Sequence, residues 1–229
     1  MNIAIIPARG GSKRIPQKNI KEFNGKPIIG YSIEKALGTN LFDKVIVSTD
    51  DQEIAKVAES FGAEIPFIRP KNLADDFTGI NPVISHALKN IDTENYNYAC
   101  CIFATSPLLK IDDLKESYKL ILNDEYKFIF SATDFPHPIQ RGFKKKDTGK
   151  GLEMLFPEHY KTRSQDFPEW MHDAGQFYWG KIESWLAEES MSFNENTNAF
   201  KLPIWRVQDI DTEDDWKRAE LIFEVLKNS

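Results

Sequence analysis

The sequence predicts an α/β fold: a doubly wound, mostly parallel sheet with helices on both faces, in a single domain spanning residues 1–229. Three observations carry this. Short runs of consecutive apolar residues alternate with amphipathic stretches as far as Pro136. The runs are apolar at both parities, as strands covered on two faces must be, and do not alternate in character as half-exposed strands do. A length of 229 residues suits one core of ordinary size, able to bury roughly 70% of the unfolded surface.

Taken in order, Ile3, Ala4, Ile5 and Ile6 form a first buried strand, which ends at a glycine-rich loop. Ile29, Ile33, Ala36 and Leu37 then recur on one face of a helix that Gly38 stops. Residues 44–48 read as the second strand. Asp50, three residues before Glu53, is the capping pattern that opens a helix, with Ile54, Val57, Ala58 and Phe61 as its buried stripe and Gly62 after it. A short strand is expected at 64–68, then a polar loop over 69–78 and a helix through Val83, His86, Ala87 and Leu88. Strand, helix and strand follow at 98–103, 111–122 and 127–132.

The alternation stops near Pro136. Residues 137–171 hold a polar turn, Gly142 to Gly149, between hairpin arms, followed by aromatics and prolines. This reads as an excursion from the sheet, either an oligomerisation arm or a lid. The chain returns as a strand at 175–179, a helix from Ile182 and a strand near 205–210. Thr212 caps a last helix with Trp216, Ala219, Phe223 and Leu226 on one face.

Composition narrows the function classes. A net charge of −6 argues against general nucleic-acid binding. No apolar run reaches the roughly 18 residues that span a bilayer, and the first residues lack the layout of a secretory leader. Cys100 and Cys101 are adjacent in a strand, so they point to opposite faces and pack the core; a reducing cytoplasm is the expected location.

Against that acidic background, residues 9–26 carry Arg9, Lys13, Arg14, Lys18, Lys21 and Lys26 with one acid, Glu22. Gly10 and Gly11 let backbone N–H groups approach a ligand, and such donors beside cations form a cradle for a polyphosphate. The loop sits after the first strand, at the sheet edge where α/β proteins bind ligands. A plain turn with solvated lysines is the competing reading. The spacing is neither that of a P-loop nor that of a dinucleotide fingerprint. Asp209-Ile210-Asp211 is the second feature: on a strand, alternate carboxylates share a face, and two hard oxygen donors near a triphosphate suit Mg²⁺. Otherwise they simply favour the positive end of the helix that follows. His86 is read as structural, whereas His172, beside Asp173 and ahead of Gln176, suits recognition of a polar small molecule. No Ser/His/Asp set or zinc spacing is present.

Several segments resemble, in order, those of the CMP-sialic acid synthetase group of cytidylyltransferases: residues 6–13 with Pro16-Gln17-Lys18-Asn19; Arg69-Pro70 with Leu73-Ala74-Asp75-Asp76 and Thr78; Thr105-Ser106-Pro107-Leu108; Arg163-Ser164-Gln165-Asp166; and Asp209-Ile210-Asp211-Thr212. The resemblance implies a Rossmann-like fold of the nucleotide-diphospho-sugar transferase type, a homodimer whose arm is the 137–171 excursion, and transfer of CMP from CTP to a nine-carbon sugar acid with Mg²⁺. It assigns Ala8, Arg9, Gly10, Gly11, Ser12 and Lys13 to the triphosphate, and Asn19, Arg69, Asp76 and Thr78 to base and ribose. Arg9, Lys18 and Asp211 become the catalytic residues, and Asp209 with Asp211 the metal pair. Thr105, Ser106, Arg163, Gln165, His172, Gln176 and Phe177 become substrate contacts, with Arg163 on the sugar carboxylate.

The departures fall on the sugar side. Phe103-Ala104 replaces the Gln-Pro that usually precedes Thr-Ser-Pro-Leu, and Leu109-Lys110 follows it where the group usually has Arg. The segment 172–179 resembles the members acting on pseudaminic acid, a less polar sugar, which an apolar substitution in the pocket should suit. N-acetylneuraminic or legionaminic acid remains the alternative substrate. A non-catalytic nucleotide-binding protein is the alternative class, which intact Arg9, Lys18, Asp209 and Asp211 disfavour.

Overall fold

The computed structural model describes residues 1–123, 125–189 and 193–227. In chain order the strands are β1 (Asn2–Pro7), β2 (Glu22–Phe23), β3 (Lys26–Pro27), β4 (Lys44–Ser48), β5 (Tyr98–Ile102), β6 (Phe128–Asp134), β7 (Phe143–Lys145), β8 (Leu152–Met154), β9 (Met171–Lys181) and β10 (Thr197–Lys201). The helices are α1 (Ile28–Gly38), α2 (Gln52–Ser60), α3 (Ile80–Lys89), α4 (Ile111–Ile121), α5 (Ile182–Leu186) and α6 (Glu213–Lys227). Six strands form one sheet in the order β10-β6-β9-β5-β1-β4. β1 runs parallel to β4 and β5, and β10 parallel to β6, while β9 is antiparallel to both its neighbours.

Both faces of the sheet are covered, as continuous apolar strands require. One layer packs Ala4, Ile6, Ile33, Val47, Cys100 and Trp179; the other packs Ile3, Ile5, Ile46, Cys101 and Trp185. The two cysteines do therefore face opposite sides, and burial raises both thiol pKa values. A third, smaller core joins Ile15 from the N-terminal loop, Phe23 and Tyr31 to Ile210, Trp216 and Ala219 near the C-terminus. Phe23 meets Tyr31, Trp216 and Phe223 edge-on at centroid distances of 5.4–5.7 Å, an arrangement that adds to simple area burial.

Several local expectations are corrected. Residues 64–68 form only one bridge, Ile46 to Glu64, because Pro66 has no N–H to extend a ladder. The last strand is Thr197–Lys201, not 205–210, where a short 3₁₀ turn (Ile204–Arg206) leads into irregular chain. Asp51, not Asp50, caps α2: its Oδ1 accepts from the N–H groups of Glu53 (2.7 Å) and Ile54 (3.1 Å). Leu37 is exposed, and Gly38 is the last helical residue. Thr212 does cap α6, accepting from Asp215 N–H at 3.2 Å, while Asp215 Oδ2 accepts from the Thr212 N–H and hydroxyl at 2.9 and 2.7 Å.

The excursion leaves after β6 and returns as β9, with the β7–β8 hairpin between them. Arg141 ties its halves together by donating to the carbonyls of Tyr160 (3.0 Å) and Thr162 (2.5 Å). Phe143, Leu152, Leu155, Tyr160 and Trp170 stay exposed on it.

The irregular segment after the 3₁₀ turn is anchored by Arg206, which makes a bidentate pair with Asp113 at 2.5–2.6 Å, both side chains under a tenth exposed. Asp113 Oδ2 also accepts from Lys110 N–H at 2.9 Å, at the start of α4. Removing one member strands a buried charge. Arg206→Ala should therefore cost about 3–5 kcal/mol in urea unfolding, and a loss close to zero would show that the pair does not hold this segment.

Candidate active site

At the carboxyl ends of β1 and β5 lies a cavity of about 430 Å³, bordered by the N-terminal loop, the 69–80 segment, residues 103–105 and Asp211. The loop's shape follows from its sequence. Ala8 is buried and extends β1 by donating its N–H to Ser48 O (2.9 Å). At Gly10 a Cβ would meet the Asp51 side chain at 2.7–2.9 Å, so only glycine lets the chain turn this close to α2. Gly10 N–H donates to Asp50 Oδ1 at 2.9 Å, and Ser12 N–H to Gly10 O at 3.0 Å. Buried Ile15 pins the loop into the third core. Buried Asn19 closes it by donating from Nδ2 to Arg9 O at 3.0 Å. Three of the loop N–H groups expected to hold phosphate thus have partners within the protein, while Gly11 is exposed.

The cations are held by carboxylates. Arg9 Nη1 lies 2.7 Å from Asp76 Oδ1 and donates to Asp75 O at 2.6 Å, while Lys13 reaches Asp76 Oδ2. Arg14 pairs with Asp211 Oδ1 at 2.8 Å. Lys18 Nζ donates to Ile210 O at 2.6 Å and lies 3.3 Å from Asp211 Oδ1. The loop and the late aspartate pair, 192 residues apart at Lys18 and Ile210, therefore meet at one place.

Asp211 borders a second cavity too, of about 640 Å³, together with His172, Asp173, Asp209 and Asp215. The two aspartates do not project from a strand: Ile210 is buried between them, Asp211 serves both cavities, and Asp209 faces the second, close to Gly175. Asp209 reaches solvent, yet the protein crowded around it raises its pKa, and Asp211, Asp215 and Asp173 add to this against the opposing Lys18. Asp173 also accepts from the Tyr178 hydroxyl and from Gly175 N–H (2.8 Å). Burial, then Asp173, pushes the Tyr178 pKa up, keeping the phenol protonated. Among the described residues no group of three or more His, Cys, Asp or Glu side chains is arranged to hold a metal. A cation here would rest on the two aspartates and complete its shell with water or phosphate oxygens.

Arg69 borders the first cavity and is 4% exposed, with Nε and Nη2 unpartnered; burial lowers its pKa, opposed by Asp50. Such donors are ready for an acceptor. Thr78 borders the cavity as well, its N–H and hydroxyl both donating to Asp75 Oδ1 at 2.7 and 2.8 Å. Thr105 lies at the wall, whereas Ser106 is buried with its hydroxyl donating to Gln176 O at 3.3 Å. Gln176 is buried with Oε1 unpartnered. Phe177 is fully enclosed in the sheet core beside Trp179, so the expected substrate contact is corrected to a packing residue. His172 borders the second cavity, its ring 4.8 Å from that of Phe135. Arg163 and Gln165 lie on the exposed excursion and border neither cavity; Arg163 is bound to Asp166 at 2.8 and 2.9 Å.

Asp50 and Asp215 also stand beside the site, although their local sequence marks them as helix-start residues. Asp50 follows a strand that pairs with β1, which is a positional signal for a role beside the loop; Asp215 follows Thr212 at the capping-box interval. The raised Asp209 pKa makes its charge a cost to folding. That cost is absent below the unfolded carboxylate pKa and complete above the folded one. Asp209→Asn should accordingly raise the thermal midpoint at pH 8, with the gain shrinking toward pH 4; equal midpoints at pH 8 would show that the carboxylate is not crowded.

Residues 3–164 match the family described as Cytidylyltransferase. Across the whole chain and 98% of the relative, the sequence is 46% identical to the pseudaminic acid cytidylyltransferase of Campylobacter jejuni. It is 33% identical to N-acylneuraminate cytidylyltransferase A of Danio rerio, over 95% of this chain and 49% of that one. The fold matches a CMP:2-keto-3-deoxy-manno-octonic acid synthetase complexed with CTP at a TM-score of 0.72 and 15% identity, covering 98% and 99% of the two chains. With a cation-rich glycine loop and an aspartate pair meeting at the end of a mostly parallel sheet, and with these likenesses over its full length, the chain belongs to the cytidylyltransferase family.

Proposed function

We propose that this protein transfers CMP from CTP to the anomeric hydroxyl of a nonulosonic acid, with pseudaminic acid as the substrate. The meeting of Arg14 and Lys18 with Asp211 at the junction of two cavities carries the reading, because it joins a polyphosphate-binding loop to a hard-cation donor pair. The 46% full-length identity to a pseudaminic acid cytidylyltransferase supports the choice of sugar. So does a third cavity of about 360 Å³ that shares His172 and Asp173 with the second and is lined by Phe130, Ala132 and Met171, a wall suited to a sugar with fewer hydroxyls.

In the reaction the anomeric oxygen bonds to the α-phosphorus and gives up its hydroxyl proton to water, the α–β anhydride bond breaks, and pyrophosphate leaves with the bonding pair. The barrier is chiefly charge on phosphate oxygens, so positioning and electrostatics supply the catalysis. Arg9, Ser12 and Lys13 bind the triphosphate. Lys18, oriented by the Ile210 carbonyl, stabilises charge near the α-phosphate. Asn19 and Arg69 contact the nucleoside, Arg69 through its unpartnered donors. Asp209 and Asp211 would hold a Mg²⁺ ion, which would supply positive charge against the charge developing on the phosphate oxygens. His172 and Gln176 serve the sugar.

Arg163 borders neither cavity, and we assign the 137–171 arm to a homodimer in which docking on a second copy brings Arg163 to a sugar carboxylate. Its exposed Phe143, Leu152, Leu155 and Trp170 supply an apolar surface for that contact. No helix among the described residues is long and apolar enough to cross a membrane.

The reading is tested by pyrophosphate release with CTP, Mg²⁺ and a panel of nonulosonic acids: turnover of pseudaminic acid well above that of N-acetylneuraminic and legionaminic acids is expected, and equal turnover of all three would refute the sugar assignment. Arg163→Lys should raise KM for the sugar acid about tenfold, since a point charge loses the bidentate fork, while KM for CTP stays unchanged. A rise in KM for CTP alone would move Arg163 off the sugar.

A further inference from the structure

Arg9, Lys13, Arg14 and Lys18 of the N-terminal loop each have a carboxylate partner, but the two lysines differ in exposure. Asp211, itself 37% exposed, holds Lys18, whose side chain is 20% exposed and whose ammonium also binds a main-chain carbonyl. Asp76 holds Arg9 and Lys13 at the open rim: its side chain is one-third exposed, and that of Lys13 is 78% exposed. Asp76 uses one oxygen for each cation, the same bridging of two cations that a phosphate makes. It is also held in place. Asp75 Oδ1 gathers Phe77 N–H (2.9 Å), Thr78 N–H (2.7 Å) and the Thr78 hydroxyl (2.8 Å) into a tight turn, and the Asp75 carbonyl takes a further bond from Arg9. The 75–78 turn thus presents a fixed carboxylate to the two cations assigned above to the triphosphate.

We propose that Asp76 is a built-in competitor of the triphosphate, occupying Arg9 and Lys13 until a polyphosphate displaces it, and so is a determinant of polyphosphate affinity. This deepens the cytidylyl-transfer reading and rests on it. Exposed ion pairs are weak and easily exchanged, so a ligand with several charges displaces Asp76 readily. In the bound state the freed carboxylate repels the phosphates, which limits how tightly substrate and pyrophosphate are held. The inference reverses the expectation drawn from resemblance, in which Asp76 helps to bind base and ribose.

The test is calorimetric titration of the full-length protein with inorganic pyrophosphate, CTP and cytidine, without sugar acid or added divalent cation, comparing wild type, Asp76→Asn and Asp76→Glu. Asp76→Asn is expected to bind pyrophosphate and CTP about fivefold more tightly, the size expected when a partly exposed pair is lost. Cytidine affinity should not change, and Asp76→Glu, which keeps the charge, should stay within about twofold of wild type. The gain should shrink in the Asp76→Asn/Lys13→Gln double variant, because one of the released cations is gone. Pyrophosphate affinity that is unchanged or weaker in Asp76→Asn would overturn the inference, as would a loss confined to cytidine. Either result leaves the cytidylyl-transfer reading in place, whereas a wild-type protein that binds neither CTP nor pyrophosphate would overturn both.

Discussion

Lys18 sits on the Ile210 carbonyl and beside the Asp211 carboxylate, and the site depends on that contact. Neither partner is fixed by regular structure. Lys18 opens a single 3₁₀ turn, and residues 207–211 form no helix or strand. What holds them is the small third core, where Ile15 from the loop and Ile210 from the aspartate segment are buried with Phe23 and Trp216. Apolar packing brings the two segments together, and the ammonium then sets their register. Outward from that point, Arg206 anchors one end of the segment on α4 through Asp113, and the Thr212–Asp215 box anchors the other at the start of α6. A polar active site is thus assembled mostly by contacts that never touch a ligand.

Much of this was legible in the sequence where the signal is local. Continuous apolar runs marked β1, β4, β5 and β6, and the adjacency of Cys100 and Cys101 fixed their opposite faces by strand parity alone. Reading failed where tertiary contacts replace the ladder. Residues 205–210 carry strand-like Trp205, Val207 and Ile210, but the Arg206 and Val207 N–H groups close a 3₁₀ turn and the Ile210 carbonyl goes to Lys18, while the edge strand is the mixed Thr197–Lys201. The antiparallel sense of β9 has no sequence marker, since its central Phe177, Tyr178 and Trp179 form an apolar run like that of a parallel strand. The Arg206–Asp113 pair spans 93 positions and leaves no local trace. At the site, residue types identified the loop and the aspartate pair, whereas Phe177 was misjudged because a neighbour of Gln176 on a strand points to the opposite face.

The site also runs against the interest of stability. Asp209 is crowded by Asp211, Asp215 and Asp173; Arg69 is buried with donors unpartnered; Gln176 holds a buried oxygen with no donor. Each is a cost that the sheet's two apolar layers must outweigh. Such local conflicts gather where ligands bind, since an unpartnered group is satisfied only when a ligand arrives.

The path of the excursion has an evolutionary consequence. Asp134, the last residue of β6, lies opposite Met171, the first of β9, in the sheet register. The chain therefore departs and re-enters at a single doorway, and closing a loop across it grows only slowly more costly as the loop lengthens. Insertions, trimmings or wholesale exchanges of this segment leave the ladder between the two strands untouched. The architecture can lengthen, shorten or replace this segment while the N-terminal loop and the aspartate segment stay as they were.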